Sequence, residues 1–226
     1  MIETVMKKGF LFVLEGIDGA GKSTQARSLR RRLRARGCDV VSLREPTRGR
    51  YGREIRRKAK EVGSLTPDEE LELFLKDRRE NVERHIAPAL TAGKVVVLDR
   101  YYYSTIAYQG AKGLDPASIR RVNERFAPRP DLVFILDLPA SAGLGRISGR
   151  KSRDVLFERE GYLRRVRRLF QGFRGKTVIH IDAGQDRTEI GRLILRRVLD
   201  LLEGRRAEPA ERKSIRTKRP RRLPTR

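Results

Sequence analysis

Residues 15–24 read Glu-Gly-Ile-Asp-Gly-Ala-Gly-Lys-Ser-Thr, and they directly follow a short apolar run, Phe10–Leu14. Their spacing contains Gly-x4-Gly-Lys-Ser, the pattern of a loop that cradles phosphate groups between a strand and a helix. Glycines allow such a loop positive φ angles and turn its backbone N–H groups inward, toward an anion. The stretch therefore predicts a phosphate-binding turn that ends a strand and opens a helix at Lys22.

Two polar residues of this loop have an expected task at a bound nucleotide. Lys22 would reach the β- and γ-phosphates, and the Ser23 hydroxyl would bind Mg²⁺. A chance match is the alternative, but the apolar run before the loop and the helix-length segment after it are the context that a true match requires. We expect the nucleotide phosphates to contact Gly16, Ile17, Asp18, Gly19, Ala20, Gly21, Lys22, Ser23 and Thr24.

Four further apolar, β-branched runs follow along the chain, at 40–43, 95–98, 132–138 and 177–181. Continuous apolar runs of this length are typical of strands that are buried on both faces. Charged segments of helical length separate them, and the longest of these is 67–90. The alternation predicts an α/β fold of three layers, in which helices cover both faces of a parallel, five-stranded sheet, as in the P-loop NTP hydrolase fold.

The composition describes a chain that can fold. Hydrophobic residues make up 38% of its 226 residues, so the chain can form a core, and global disorder is excluded. No apolar run approaches the roughly 20 residues of a membrane span, and residues 1–8 do not resemble a secretory signal. The single cysteine, Cys38, excludes an internal disulfide. We therefore expect a protein of the reducing cytoplasm that does not enter a membrane.

The net charge of +24 comes from 53 Arg and Lys against 29 Asp and Glu. Residues 205–226 contain ten of these basic residues and three Pro, which predicts a disordered basic tail behind one folded domain at 1–204. Such an excess is typical of a nucleic-acid-binding protein, but also of an enzyme with a polyanionic substrate. Composition alone leaves both classes open.

A second polar constellation follows the third predicted strand. Asp99, Arg100 and Tyr101 come directly after it, and the carboxyl ends of parallel strands form the ligand-binding edge of such a sheet. Asp99 can hold Mg²⁺ through water or orient an arginine, and Arg100 can bind a phosphate bidentately. A buried structural ion pair between the two is the alternative.

Two weaker signals lie nearby in the predicted fold. The turn Arg44-Glu-Pro-Thr-Arg48 follows the second strand, where Pro46 disfavours helix. Phe74 and Arg78 lie four residues apart and so share one face of a predicted helix. A ring beside a guanidinium suits a nucleobase, although a solvated turn and a core Phe are the ordinary explanations.

Together these segments resemble the thymidylate kinase family, whose members transfer the γ-phosphate of ATP to dTMP. The resemblance extends over residues 10–202 and is most specific at Asp99-Arg-Tyr-x2-Ser-Thr-x-Ala-Tyr-Gln-Gly110, because adenylate kinases and deoxynucleoside kinases share the P-loop but lack this string. The other matching segments are Glu15-Gly-x-Asp-Gly-x-Gly-Lys-Ser-Thr-Gln25, Arg44-Glu-Pro-Thr47 and Leu73-Phe-x3-Arg78.

The resemblance implies two substrate sites. ATP would lie on residues 16–24, with Mg²⁺ held by Ser23 and Asp99, and Asp18 would lie near the Mg²⁺ or the acceptor nucleotide. Phe74 would stack on thymine and Arg78 would bind a thymine carbonyl. The full set implied for dTMP is Arg48, Phe74, Arg78, Arg100, Ser104, Thr105 and Tyr108, in which Arg48 and Arg100 hold the phosphate, Ser104 and Thr105 lie at the base edge, and Tyr108 crowds the 2′ position.

Members of the family differ in the source of their catalytic arginine. Ala20 occupies the position in the loop where one type has an arginine, so the resemblance implies the other type, which has its arginines in a short lid at about 146–153. Arg146, Arg150 and Arg153 are candidates, and a solvated basic helix end is the alternative. We expect the catalytic set to be Asp18, Lys22, Arg100, Arg150 and Arg153.

The expected reaction needs no general base, because the acceptor phosphate is already anionic near pH 7, so His85 and His180 are predicted to be structural. The resemblance also implies a homodimer. Two alternatives stay open: a P-loop kinase of another nucleotide or small metabolite, and a nucleic-acid-binding protein that uses the 205–226 tail.

Overall fold

The computed structural model describes residues 9–59, 61, 64–147 and 153–207, and side chains are described except at 147, 153–159 and 205–207. Its five strands lie within two residues of the predicted ones: β1 (Phe10–Glu15), β2 (Val40–Arg44), β3 (Val95–Asp99), β4 (Leu132–Asp137) and β5 (Val178–Asp182). They pair in parallel in the order β2-β3-β1-β4-β5. The predicted five-stranded parallel sheet is confirmed.

The two central strands, β1 and β3, are the most deeply buried part of the sheet. Phe12–Leu14 and Val96–Leu98 have no exposed surface, as expected of strands covered on both faces. The register pairs Asp99 with Leu14 on one side and with Arg44 on the other. The loops that follow β1, β2 and β3 therefore leave the sheet at the same level and meet at one edge.

Nine helices are present among the described residues: α1 (Lys22–Arg34), α2 (Arg50–Lys58), α3 (Pro67–Asn81), α4 (Ala87–Thr91), α5 (Tyr102–Gly110), α6 (Pro116–Glu124), α7 (Ala140–Ile147), α8 (Arg153–Gly172) and α9 (Arg187–Ala207). α1 and α9 pack together on one face of the sheet, while α3, α5 and α8 pack together on the other. The three-layer α/β fold is confirmed. Within the described ranges, no helix is long and apolar enough to cross a membrane.

The long helix predicted at 67–90 is interrupted. α3 begins at a capping box, in which Thr66 and Glu69 exchange side-chain and backbone hydrogen bonds, and it is followed by one π-helical turn, Val82–Ile86, before α4. Pro88 supplies the physical reason, because it lacks an N–H and its ring collides with the carbonyl one turn earlier in a regular α-helix. The wider turn accommodates this proline.

The fold also contains a helix that the pattern of apolar runs does not predict. α5 lies directly after β3, and seven of its nine residues are buried, so it has no charged face to mark it as amphipathic. Its burial places Ser104, Thr105 and Tyr108 beside the carboxyl edge of the sheet.

The last helix, α9, starts beside α1 at the carboxyl edge, where the Gln25 side chain donates to the Arg187 carbonyl at 2.9 Å. Its 21 residues rise about 30 Å toward the opposite edge. It continues through Ala207 and so includes the first three residues of the predicted tail, and residues 208–226 lie outside the described chain. Since Gly9 precedes β1, both ends of the described chain lie at the amino edge of the sheet.

Candidate active site

The phosphate-binding turn joins β1 to α1 as predicted. Gly16 has φ of 134°, and a Cβ at this position would lie 2.4 Å from the Leu136 carbonyl oxygen, so no other residue fits there. Gly21 caps α1 with φ of 90°, and α1 begins at Lys22. The turn therefore presents the positive end of a helix at the carboxyl edge of the sheet.

Lys22 is folded back into this turn. Its Nζ donates to the Ile17 carbonyl at 2.7 Å, and the side chain is buried. Burial lowers the pKa of the ammonium to about 7, and the positive charge of Arg100 contributes to the decrease. A phosphate anion in the turn would reverse this effect by stabilising the charged form.

Ser23, in the first turn of α1, meets Asp99, the last residue of β3. The Ser23 hydroxyl donates to Asp99 Oδ2 at 2.5 Å, while the other carboxylate oxygen, Oδ1, is buried with no hydrogen-bond partner in the described part of the chain. A hydroxyl, one carboxylate and space for phosphates and water fit the oxygen ligands that Mg²⁺ takes in nucleotide sites. The described residues hold no cluster of three or more His, Cys, Asp or Glu that would form an all-protein metal site.

Arg100 connects the turn to α5. Its Nη2 donates to Asp18 Oδ1 at 2.5 Å and its Nη1 donates to Ser104 Oγ at 3.1 Å, and the guanidinium lies over the Tyr108 ring at 5.2 Å. The Tyr108 hydroxyl in turn donates to Asp18 at 3.4 Å. Asp18, Arg100, Ser104 and Tyr108 thus form one hydrogen-bonded group beside the phosphate turn.

Glu15 holds Arg100 in an unusual backbone conformation. Arg100 has φ of 72°, a left-handed value that is unfavourable for a residue with a side chain. The next residue, Tyr101, donates its N–H to Glu15 Oε1 at 2.7 Å, and Ser104 donates its hydroxyl to Glu15 Oε2 at 2.5 Å. Burial raises the pKa of Glu15 to about 7, against these hydrogen bonds and the charge of Arg100.

A cavity of about 1030 Å³ opens beside this group. Its floor contains Asp18 and Arg100, and its walls come from the β2–α2 turn, α3, α5 and Tyr162 of α8. All seven residues predicted to bind dTMP line it: Arg48, Phe74, Arg78, Arg100, Ser104, Thr105 and Tyr108. Its size is that of a small-molecule site, and it combines a half-buried ring with several cationic groups.

Arg78 lies deepest in the wall, with 1% of its surface exposed. Its Nε donates to Glu45 at 2.8 Å, its Nη1 to Asn123 Oδ1 at 2.6 Å and its Nη2 to Thr105 Oγ1 at 3.0 Å. Nη2 also lies 2.7 Å from Glu45 in an ion pair, so each guanidinium nitrogen has a partner and three of the five N–H groups donate hydrogen bonds. One N–H on Nη1 is left without an acceptor among the described residues.

The β2–α2 turn is fastened to α3. Thr47 donates its N–H and its hydroxyl to the Asp77 carboxylate at 2.8 and 2.6 Å, and the Glu45–Pro46 peptide bond is cis. Glu45 is buried, and burial raises the pKa of its carboxyl while Arg78 opposes the rise. The side chain of Arg48 lies exposed at the mouth of the cavity.

Of the predicted lid arginines, only Arg146 has a described side chain. It lies on α7, and its guanidinium donates to the carbonyls of Gly19 at 3.2 Å and Ala183 at 3.4 Å. It therefore joins the phosphate turn to the loop after β5. Arg150 lies outside the described residues, and Arg153 is the first residue of α8, with its side chain outside them.

Three residues that position this site received no role from the sequence. Glu15 stands inside the quoted turn, and its place at the end of β1 is the only local signal. Asp77 lies one position before Arg78, where a charged residue on a helix is ordinarily solvent-exposed. Asn123 lies on α6, 45 residues from Arg78, and nothing in its local sequence indicates a contact.

Comparison with known proteins agrees with this arrangement. The sequence model of the family described as thymidylate kinase matches residues 14–194. The thymidylate kinase of Akkermansia muciniphila is 50% identical over 184 residues, which are 81% of this chain and 88% of that protein. The thymidylate kinase of Desulfotalea psychrophila is 44% identical over 196 residues, 86% and 96% of the two chains. That of Xanthomonas campestris pv. campestris is 47% identical over 180 residues, 79% and 78% of the two. Because the match includes both the phosphate turn and the walls of the cavity, this chain belongs to the thymidylate kinase family.

Proposed function

We propose that this protein transfers the γ-phosphate of ATP to dTMP, giving ADP and dTDP, as a step in the supply of dTTP. The observation that carries the proposal is the shared boundary of two sites. Asp18 belongs to the phosphate turn and also to the cavity, where it binds Arg100. A donor on the turn and an acceptor in the cavity would thus meet at these two side chains.

Phosphoryl transfer requires the protein to position the two substrates and to neutralise the charge of their phosphates. A phosphate oxygen of dTMP attacks the γ-phosphorus of ATP, the bond from that phosphorus to the β–γ bridging oxygen breaks, and ADP leaves. Lys22 binds the β- and γ-phosphates, while Arg100 and Arg48 hold the acceptor phosphate in line. The attacking oxygen is already anionic near neutral pH, so no side chain has to remove a proton.

Mg²⁺ would be held by the Ser23 hydroxyl and the unpartnered oxygen of Asp99. When bound, it supplies charge neutralisation at the β- and γ-phosphate oxygens. The turn at residues 16–24 would bind the donor phosphates beside it, and the Ser23 hydroxyl, which donates to Asp99, would be available as an oxygen ligand.

The lid completes the site. Arg146 already bonds the Gly19 carbonyl on the phosphate turn, so it lies beside the expected donor phosphates. Arg150 and Arg153 follow within seven residues, and with Arg146 they would stabilise the charge that spreads over the transferring group. Closure of this segment would also exclude water and limit ATP hydrolysis.

Base recognition would occur in the cavity. Phe74 stacks on thymine, the free Nη1 N–H of Arg78 donates to a thymine carbonyl, and Thr105 lies beside the same edge. Tyr108 is fixed by Arg100 and Asp18, in a position to crowd a 2′-hydroxyl. This arrangement favours a deoxyribonucleotide with a carbonyl facing Arg78.

A coupled assay of ADP release with dTMP, dUMP, UMP, CMP and AMP tests the proposal directly. We expect dTMP to be the preferred acceptor, and preference for any other member would identify a different P-loop kinase. Lys22→Ala and Arg100→Ala should each lower kcat by at least two orders of magnitude while circular dichroism stays unchanged. Near-wild-type turnover in either variant would refute the site.

The family relationship also supports a cytoplasmic, Mg²⁺-dependent homodimer. Activity that is abolished by EDTA and restored by MgCl₂ would support the ion requirement. Light scattering behind a size-exclusion column would give the mass in solution, and a value near 26.0 kDa, the mass of one chain, would exclude the dimer.

A further inference from the structure

A second cleft lies on the opposite helical layer, between α1 and the start of α9. Its volume is about 670 Å³, and we call it the arginine cleft because six arginines line it: Arg27, Arg30, Arg31, Arg32, Arg34 and Arg187. The remaining lining residues carry hydroxyl or amide groups, and none is Asp or Glu. It borders the phosphate turn at Thr24 but shares no residue with the dTMP cavity.

The charge of the arginine cleft is not neutralised within the described chain. None of the six arginines forms an ion pair with a described residue, whereas arginines on other surfaces, such as Arg57 with Glu61 and Arg164 with Glu160, do. The sequence from 19 to 38 contains no acidic residue. Carboxylates near the cleft are engaged elsewhere, because Asp186 caps α9 and Glu189 pairs with Arg192.

This concentration of like charge opposes helix formation. Arg27 and Arg31 lie four residues apart on α1, as do Arg30 and Arg34, and like charges at this spacing destabilise a helix. α1 is retained by its apolar face, on which Leu29 is buried against the sheet. The repulsion would be relieved by a bound polyanion.

The two helices that carry these guanidinium groups, α1 and α9, are in direct contact. The Gln25–Arg187 hydrogen bond ties the two helices together, and they approach so closely that a Cβ at Gly191 would lie 3.1 Å from the Gln25 side chain. Arg27 and Arg31 are separated by about 6 Å along the axis of α1. Arg187 faces them from α9, so cationic groups line both walls of the cleft.

The lining chemistry selects among anions. Guanidinium groups bind phosphates bidentately, and the hydroxyls of Thr24, Ser28 and Thr188 can donate to phosphate oxygens. No aromatic side chain lines the cleft, so it lacks the stacking surface on which single strands bind. We propose that the arginine cleft binds the phosphate backbone of double-stranded nucleic acid without reading its sequence. This inference does not depend on the proposed kinase activity.

The test uses the full chain, so that residues 208–226 contribute equally to every measurement. Fluorescence anisotropy of a labelled 20-base-pair DNA duplex is recorded between 50 and 300 mM KCl for wild type and for the triple variant Arg27→Gln, Arg31→Gln, Arg187→Gln. Each lost phosphate contact reduces the slope of log K against log salt by about 0.9. We expect the triple variant to have a slope shallower by about 2.7.

The matched control removes the same charge from ion-paired surface arginines, through Arg57→Gln, Arg129→Gln and Arg164→Gln. We expect its slope to stay within about one unit of wild type, since these side chains already contact carboxylates. Thermal melting tests whether both triple variants fold. We expect the cleft variant to fold, because its three substituted side chains form no hydrogen bond within the described chain.

Three results would overturn the proposal. An unchanged slope in the cleft variant would assign nucleic-acid binding to another part of the chain, the basic tail being the first choice. An equal change in the control would show a nonspecific effect of net charge. A single-stranded 20-mer or a polyglutamate of equal charge that binds more tightly than the duplex would assign the cleft to a different partner.

Discussion

Removal of the Asn123 carboxamide is the sharpest perturbation of the cavity wall that we propose binds the base, because Asn123 contacts Arg78 and lies outside the cavity lining. In Asn123→Ala, a buried guanidinium loses an acceptor at 2.6 Å. An unpaired N–H on a buried charged group costs about 2 kcal/mol. For a chain of this length, that lowers Tm by about 4–8 °C.

The functional consequence follows from the geometry of Nη1. One of its N–H groups is held by Asn123, and we expect this contact to fix the direction of the other. Without it, Arg78 keeps its bonds to Glu45 and Thr105 but its Nη1 edge is no longer fixed. We expect the KM for dTMP to rise about tenfold, equivalent to about 1.4 kcal/mol, with kcat within about a factor of two of wild type. Discrimination against dCMP should fall, because cytosine carries an amino donor where thymine carries a carbonyl.

Asn81→Ala is the matched control. Asn81 is also buried and belongs to the same network, and it lines the cavity, but its amide donates to Glu45 at 3.0 Å and does not touch Arg78. Steady-state kinetics with dTMP and dCMP and thermal melts should show that both variants lose stability and that only Asn123→Ala loses base selectivity. Equal KM values in the two variants would refute the argument that Asn123 aims Arg78.

Three further predictions address other parts of the structure. Phe74→Ala should weaken dTMP binding about tenfold by removing one stacking surface and leave ATP binding unchanged in calorimetry; unchanged dTMP affinity would rule out stacking. Arg146→Ala should raise the KM for ATP more than that for dTMP, since its contacts lie on the phosphate turn, and the opposite ratio would argue against this placement. Arg167→Gln tests a linkage between stability and pH. In wild type, the hydrogen bond from Arg167 lowers the pKa of Asp137 below its ordinary 3.8. The resulting stabilisation is present above pH 3.8 and is lost as the pH falls through the lowered pKa. Urea unfolding should therefore show Arg167→Gln to be less stable by about 1 kcal/mol at pH 7 and to approach wild type near the lowest accessible pH, whereas a constant difference would exclude the linkage.

The sequence predicts those parts of the molecule whose conformation is determined by residues close together in the chain. β1, β3 and the phosphate turn follow from apolar runs and glycine spacing, and the edge at which Asp99 and Arg100 lie follows from the parallel sheet. The seven cavity residues were assembled by resemblance, and the structure does bring them together around one space. Their individual roles stay predictions.

What sequence did not predict depends on contacts made after folding. The π-helical turn at Val82–Ile86 accommodates Pro88. A proline in a helical segment can produce a kink, a break or a bulge, and the sequence does not distinguish among them. The hydrogen bond from Arg78 to Asn123 joins α3 to α6 in the interior of the protein. A single Asn on a charged helix does not predict such a contact. The left-handed conformation of Arg100 is accompanied by hydrogen bonds to Glu15 from the Tyr101 N–H and from Ser104, and a backbone donor leaves no trace in a side-chain pattern.

Because Gly9 and Ala207 both lie at the amino edge of the sheet, the molecule can be held from either end without obstructing the carboxyl edge. A biotin or surface tether attached through the N-terminal residues would leave the mouth of the cavity pointing away from the support, toward the flowing solution. The same polarity means that a fluorescent protein fused at that end would be separated from the nucleotide turn by the full height of the sheet. Immobilised binding measurements with nucleotides can therefore be made on one orientation of the protein, with the cavity open to solution.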